Sequence, residues 1–92
     1  METVARRFLI RGRVQGVGFR WFVIDTAEGL GLTGWTRNLP DGSVEVVAQG
    51  GREALESLAG DLSVGPRAAR VSSVDSAEVE PDPLQRGFHV RY

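Results

Sequence analysis

The sequence predicts an α+β fold: two helices on one face of an antiparallel sheet, in the order β-α-β-β-α-β, with a short extra strand at the C-terminus. Three observations carry that reading. Apolar residues alternate with polar ones around Phe8 and Ile10 and again at Val44, Val46 and Ala48, the period of a half-buried strand. Elsewhere the period changes to three and four, at Phe19, Phe22, Val23, Ala27 and Leu30 and at Leu55, Leu58, Ala59 and Leu62. That spacing draws an apolar stripe along a helix. Glycine, proline and aspartate gather at the junctions between these runs, where reversals of the chain need them.

The first strand is the run Arg6 to Gly12, with Phe8 and Ile10 on one face and Arg7, Leu9 and Arg11 on the other. A glycine-bearing segment then opens onto a helix-like run from Phe22 to Leu30, its stripe already begun at Phe19. Gly31 suits the left-handed position just past a helix end, while Gly29 in the last turn costs about 1 kcal/mol relative to alanine. Leu32 to Asn38, with Trp35 and two threonines, reads as the second strand. Leu39-Pro40-Asp41-Gly42-Ser43 is a turn, since proline presets φ and glycine can go left-handed. Val44, Val46 and Ala48, alternating with Glu45, Val47 and Gln49, form the hairpin partner, which Gly50-Gly51 breaks. The second helix follows, with Glu53 near its positive end and Gly65-Pro66 closing it. Ala69 to Val79 is the fourth strand. Its Val71 and Val74 are three apart and cannot share one face of a regular strand, which predicts a bulge between them. Pro81-Asp82-Pro83 forces a loop before the terminal strand Phe88-His89-Val90-Arg91-Tyr92. Right-handed crossovers and short connections lead to the ferredoxin-like open-faced sandwich, strand order 4-1-3-2, with the terminal strand at an edge.

Ninety-two residues make one domain, residues 1–92, with enough chain for one modest core. Net charge is −1, so no non-specific attraction to nucleic acid or a membrane is indicated. All eleven lysine-plus-arginine positions are arginine, which codon usage explains more simply than function does. Without cysteine there are no disulfides, thiolate nucleophiles or zinc–sulfur sites. No apolar run approaches the roughly 20 residues of a membrane span. Met1-Glu2-Thr3-Val4-Ala5-Arg6-Arg7 lacks the charged-then-apolar order of a signal peptide. A cytoplasmic enzyme or binding module is expected.

The segment Arg13-Val14-Gln15-Gly16-Val17-Gly18-Phe19-Arg20 is where chemistry concentrates. Glycines at a strand-to-helix turn allow positive φ and bring successive N–H groups toward one point. At the positive end of a helix dipole such a concavity takes a tetrahedral anion. A bare G-x-G is equally a plain turn; Arg20, in the first helical turn with its forked donors, shifts the reading to phosphate. Topology returns the end of the second strand, Asn38, to the same edge of the sheet as Arg20. Its amide offers a donor and an acceptor for a water, although alone it also reads as a turn-former before Pro40.

Those residues carry a resemblance. Gly12-Arg13-Val14-Gln15-Gly16-Val17-Gly18-Phe19-Arg20 and Gly34-Trp35-Thr36-Arg37-Asn38-Leu39-Pro40-Asp41-Gly42-Ser43-Val44-Glu45 are similar to the two signatures of the acylphosphatase family. Gly65-Pro66, Ala69-Arg70-Val71 and the closing Phe88-His89-Val90-Arg91-Tyr92 resemble its later landmarks, so the likeness spans the chain. It departs at Thr36, where valine is usual, and at Arg67, where a second proline often follows. The resemblance implies hydrolysis of acyl phosphates to carboxylate and inorganic phosphate, with no metal and no cofactor. It also implies roles: the amides of Gln15, Gly16, Val17, Gly18, Phe19 and Arg20, with the Arg20 side chain, hold the phosphoryl oxygens, and Asn38 orients the attacking water.

Physical chemistry agrees independently. An acyl phosphate carries a good leaving group, so positioning and charge stabilisation suffice without a covalent nucleophile. The chain has no Ser-His-Asp set, no carboxylates spaced for Mg²⁺, and no G-K-[ST] ending to its loop. His89, the single histidine, is expected to be structural or solvent-exposed; Asp41 and Glu45 fall in a turn and on an outward face; Arg37 reads as a solvated surface charge. An RNA-binding sheet would need aromatics on the third strand, where Glu45, Val47 and Gln49 face out. A metal-carrying domain would need thiols. A phosphate- or carbamoyl-phosphate-binding module of a larger assembly is the harder rival. The expected partners are a small acyl phosphate, with inorganic phosphate or sulfate competing, and the expected state is a monomer.

Overall fold

The computed structural model describes residues 2–92. Its elements are β1 (Val4–Arg13), α1 (Phe19–Gly29), β2 (Thr33–Asn38), β3 (Val44–Gly50), α2 (Arg52–Val64), β4 (Arg70–Val79) and β5 (Phe88–Val90). One sheet runs in the order β4-β1-β3-β2-β5. The predicted 4-1-3-2 core is therefore present, with β5 added parallel to β2 at its outer edge.

Alternation decides which face is buried. Phe8 pairs with Val46 and Ile10 with Val44, and all four are fully enclosed. Against them α1 packs Phe19, Val23 and Ala27, and α2 packs Leu55, Leu58 and Leu62. Each large apolar side chain buried this way contributes about 1.5–3 kcal/mol. The helices leave the other sheet face open. α1 ends as predicted: Gly31 takes φ 73° and donates to Glu28, while Leu32 N–H donates to Ala27, the double bond of a left-handed helix stop.

The bulge is where Val71 and Val74 require it. Arg11 pairs with Ser73 but Gly12 pairs with Val71, so Ser72 is the extra residue. At this crowded step a Cβ on Gly12 would lie 2.1 Å from the Arg70 carbonyl oxygen, which only glycine avoids.

The register also sets the working edge. Ile10 lies opposite Val44, and Val44 opposite Asn38, so the three form one row across the sheet. With strands about 4.8 Å apart, Asn38 sits roughly 10 Å across from Ile10, three residues before β1 ends at Arg13 and the glycine loop begins.

Candidate active site

The loop between β1 and α1 is anchored on both sides: Val14 and Phe19 are buried in the core, and Val17 packs partly against it. Between the anchors, Gly16 (φ 73°) and Gly18 (φ 79°) are left-handed. Nothing lies within 4 Å of a Cβ built on either one, so glycine is needed here for its backbone angles, and the space above the loop is open. Gly18 is also the N-cap of α1; its carbonyl accepts from Phe22 N–H at 3.0 Å. No side chain caps this helix start, and its first turn carries no acidic residue. The positive end of α1 is thus left without an internal anion, the condition for binding an external one.

Arg20 stands in that first turn. Four arginines are half-buried: Arg6, Arg7, Arg20 and Arg37. Arg6 pairs with Glu56, and Arg7 and Arg37 pair with Glu45. Among the described residues Arg20 alone of the four has neither an ion pair nor a side-chain hydrogen bond; its guanidinium carbon lies 5.9 Å from the Tyr92 ring. Tyr92 marks the same edge as Asn38, because β5 runs parallel to β2 and Arg91 N–H donates to the Thr36 carbonyl at 2.8 Å. Asn38 is half-buried at the end of β2, and its amide makes no side-chain hydrogen bond among the described residues. Thr36, two residues before it, is fully buried and donates to the Glu45 carbonyl at 3.0 Å, so the polar substitution there is satisfied.

Sequence reasoning missed two partners near the site. The Gln15 side chain donates from Nε2 to the carbonyls of Leu39 (2.8 Å) and Ser43 (2.9 Å), tying the loop to the turn that follows Asn38. Glu45 lies on the outward face as expected, but it is covered there: it is 5% exposed and receives Arg7 Nε at 2.5 Å and Arg37 Nε at 2.6 Å. Burial raises the Glu45 carboxyl, but the hydrogen bonds and charges of both arginines outweigh it and hold the group below its ordinary value. Arg37 is accordingly a paired residue that also covers the Trp35 ring at 5.2 Å, rather than a free surface charge. Asp41 behaves as a turn former. Its carboxylate accepts from Ser43 Oγ–H and Ser43 N–H, which lower its pKa. His89 is exposed, level with Trp35 on the open face and engaged with the Arg86 carbonyl.

A surface cavity of about 340 Å³ lies at the opposite edge, lined by Glu2, Gly51, Arg52 and Glu53. Its two glutamates outnumber its one arginine, which is already paired with Glu2, so this cavity offers no net positive charge to an anion. Among the described residues no group of three or more acidic, histidine or cysteine side chains is arranged to hold a metal ion.

The family model of acylphosphatase matches residues 6–90, nearly the whole chain. The chain belongs to the acylphosphatase family. It is 52% identical over 90 residues to the acylphosphatase of Trichormus variabilis, covering 98% of this chain and 88% of that one. Against the acylphosphatase of Koribacter versatilis it is 51% identical over 85 residues, covering 92% and 77%. The solved acylphosphatase of Coxiella burnetii superposes with a TM-score of 0.92 at 40% identity, covering 97% of this chain and 93% of that one. As a member of this family the protein is a hydrolase of acyl phosphates.

Proposed function

We propose that the protein cleaves the carboxyl–phosphate anhydride by holding the phosphoryl group in the Gln15–Arg20 loop while Asn38 presents the attacking water. The observation that carries this reading is Arg20, half-buried and, among the described residues, without an ion pair or side-chain hydrogen bond, beside an uncapped helix start and two left-handed glycines. The loop amides and the Arg20 fork supply donors for the non-bridging oxygens, whose charge they balance as the transition state forms. The Asn38 carbonyl accepts a proton of the water and its NH₂ donates toward the phosphoryl group. The water oxygen forms the new P–O bond, the bond to the acyl oxygen breaks with its electron pair on the carboxylate, and the water's proton passes to solvent.

No residue in this scheme ionises near neutral pH, and none forms a covalent intermediate. Metal independence is part of the proposal, because positioning and charge stabilisation suffice for so good a leaving group. Phosphomonoesters are expected to be poor substrates, since no general acid is placed to protonate an alkoxide. Residues 1–92 are proposed to act as one domain, as a monomer in the cytoplasm, with inorganic phosphate and sulfate competing for the loop. Release of phosphate from an aryl acyl phosphate by the purified protein tests the reading. Equal rates with and without excess chelator are expected; loss of activity in chelator, restored by a divalent ion, overturns the mechanism.

A further inference from the structure

The geometry points to the Gln15 side chain as a positioning residue that sets the distance between the phosphate loop and Asn38; the inference rests on Asn38 being the water holder. Both partners of the Gln15 amide are backbone carbonyls, so only its NH₂ can face them, and both of its hydrogens are spent. Those partners lie 24 and 28 residues away in sequence. They also begin and end the turn that follows the proposed water holder. Leu39 directly follows Asn38, and Ser43 directly precedes Val44, the cross-strand partner of Asn38.

The turn does not need this amide to close. The Leu39 carbonyl already accepts from Gly42 N–H at 3.1 Å, and the Ser43 carbonyl from Leu39 N–H at 2.9 Å. The Asp41 carboxylate adds two further bonds to Ser43. Removing the Gln15 donors therefore strands no carbonyl. What is lost is the only side-chain hydrogen bonding, among the described residues, between the segment that would hold the phosphorus and the segment that would hold the water. In-line attack depends on that separation, and a displacement of about 1 Å costs on the order of a hundredfold in rate. The backbone amides that would bind the phosphoryl oxygens stay on the loop itself, whose anchors Val14 and Phe19 remain buried.

A double-mutant cycle tests this, reading kcat for an aryl acyl phosphate and the inhibition constant of inorganic phosphate. Gln15→Met, similar in length but without donors, is expected to lower kcat about 10- to 100-fold while phosphate inhibition changes by less than about threefold. Placed on Asn38→Ala, the same substitution is expected to change kcat by less than about twofold, because the residue it acts through is gone. Full multiplication of the two effects, or Gln15→Met with unchanged kcat, overturns the inference. Asn38→Ala with unchanged kcat instead overturns the reading beneath it. Gln15→Glu serves if the methionine variant does not fold. Its carboxylate would face two carbonyl oxygens, so kcat should be low at pH 8 and rise toward pH 5 as the protonated acid regains a donor. A Gln15→Glu profile as flat as the parent's also overturns the inference.

Discussion

Neutralising Glu45 is expected to weaken the fold and spare the chemistry. Its carboxylate takes two charge-assisted hydrogen bonds, from Arg7 and Arg37, with its own side chain 6% exposed and theirs 41% and 40%. In Glu45→Gln one guanidinium keeps a carbonyl acceptor and the other meets an NH₂, donor against donor. A hydrogen bond to a charged group is worth about 1.5–3 kcal/mol. Water recovers part of that at arginines this exposed, so the expected loss is about 2 kcal/mol. For a chain of this size that lowers Tm by roughly 8–16 °C. The sign with pH follows from the lowered carboxyl: its stabilisation is complete above the unfolded value near 4.5 and fades as pH falls through the lower folded value. Urea midpoints of parent and variant should differ at pH 7 and converge as pH drops below 4.5. Phosphate release at a temperature where both are folded should agree within about twofold, since Glu45 faces away from Asn38. Equal stability at pH 7, or a gap that does not narrow in acid, would refute the reasoning; a large fall in kcat would place Glu45 in the site.

Two further expectations concern the loop and the histidine. Tens of millimolar phosphate should raise Tm in salt-matched buffer, by an amount equivalent to about 2.7 kcal/mol at a hundredfold excess over Kd; an unchanged Tm counts against the anion site. Arginine and asparagine offer nothing that titrates between about pH 5 and 8, so the pH–rate profile should be flat there and His89→Gln should stay active. A bell-shaped profile that vanishes in His89→Gln would return the histidine to the mechanism.

What the sequence made legible follows from where the information is stored. Phe8 and Ile10 against Arg7 and Leu9 declare a strand with one buried face, and the 1-3-2 neighbours follow from short connections and handedness. Val71 and Val74 betrayed the bulge because their spacing contradicts a regular strand. The placement of Asn38 on the edge of the glycine loop came from topology alone. Alternation put Glu45 on the correct, outward face, but it reports which face a residue occupies and not what covers that face. Its two arginines come from neighbouring strands, and a cross-strand charge inventory on the predicted sheet would have found them. The Gln15 brace had no such signal: its partners are main-chain carbonyls, present at every residue and visible only once the turn is folded against the loop. Gly12 was similar, being demanded by the Arg70 carbonyl beside it rather than by a turn.

The central claim, that one residue holds the phosphoryl group and another the water, is tested most directly by comparing Arg20→Ala and Asn38→Ala. The quantities to read are kcat and the inhibition constant of inorganic phosphate. Arg20 would touch the phosphoryl group in both ground and transition states, so its loss should weaken phosphate binding and slow turnover together. Asn38 would act on the water alone, so its loss should leave phosphate binding within about threefold while kcat falls about 10²–10³-fold. An Asn38→Ala enzyme that keeps kcat and raises only KM, or an Arg20→Ala enzyme that binds phosphate as before, would contradict the division of labour proposed for this site.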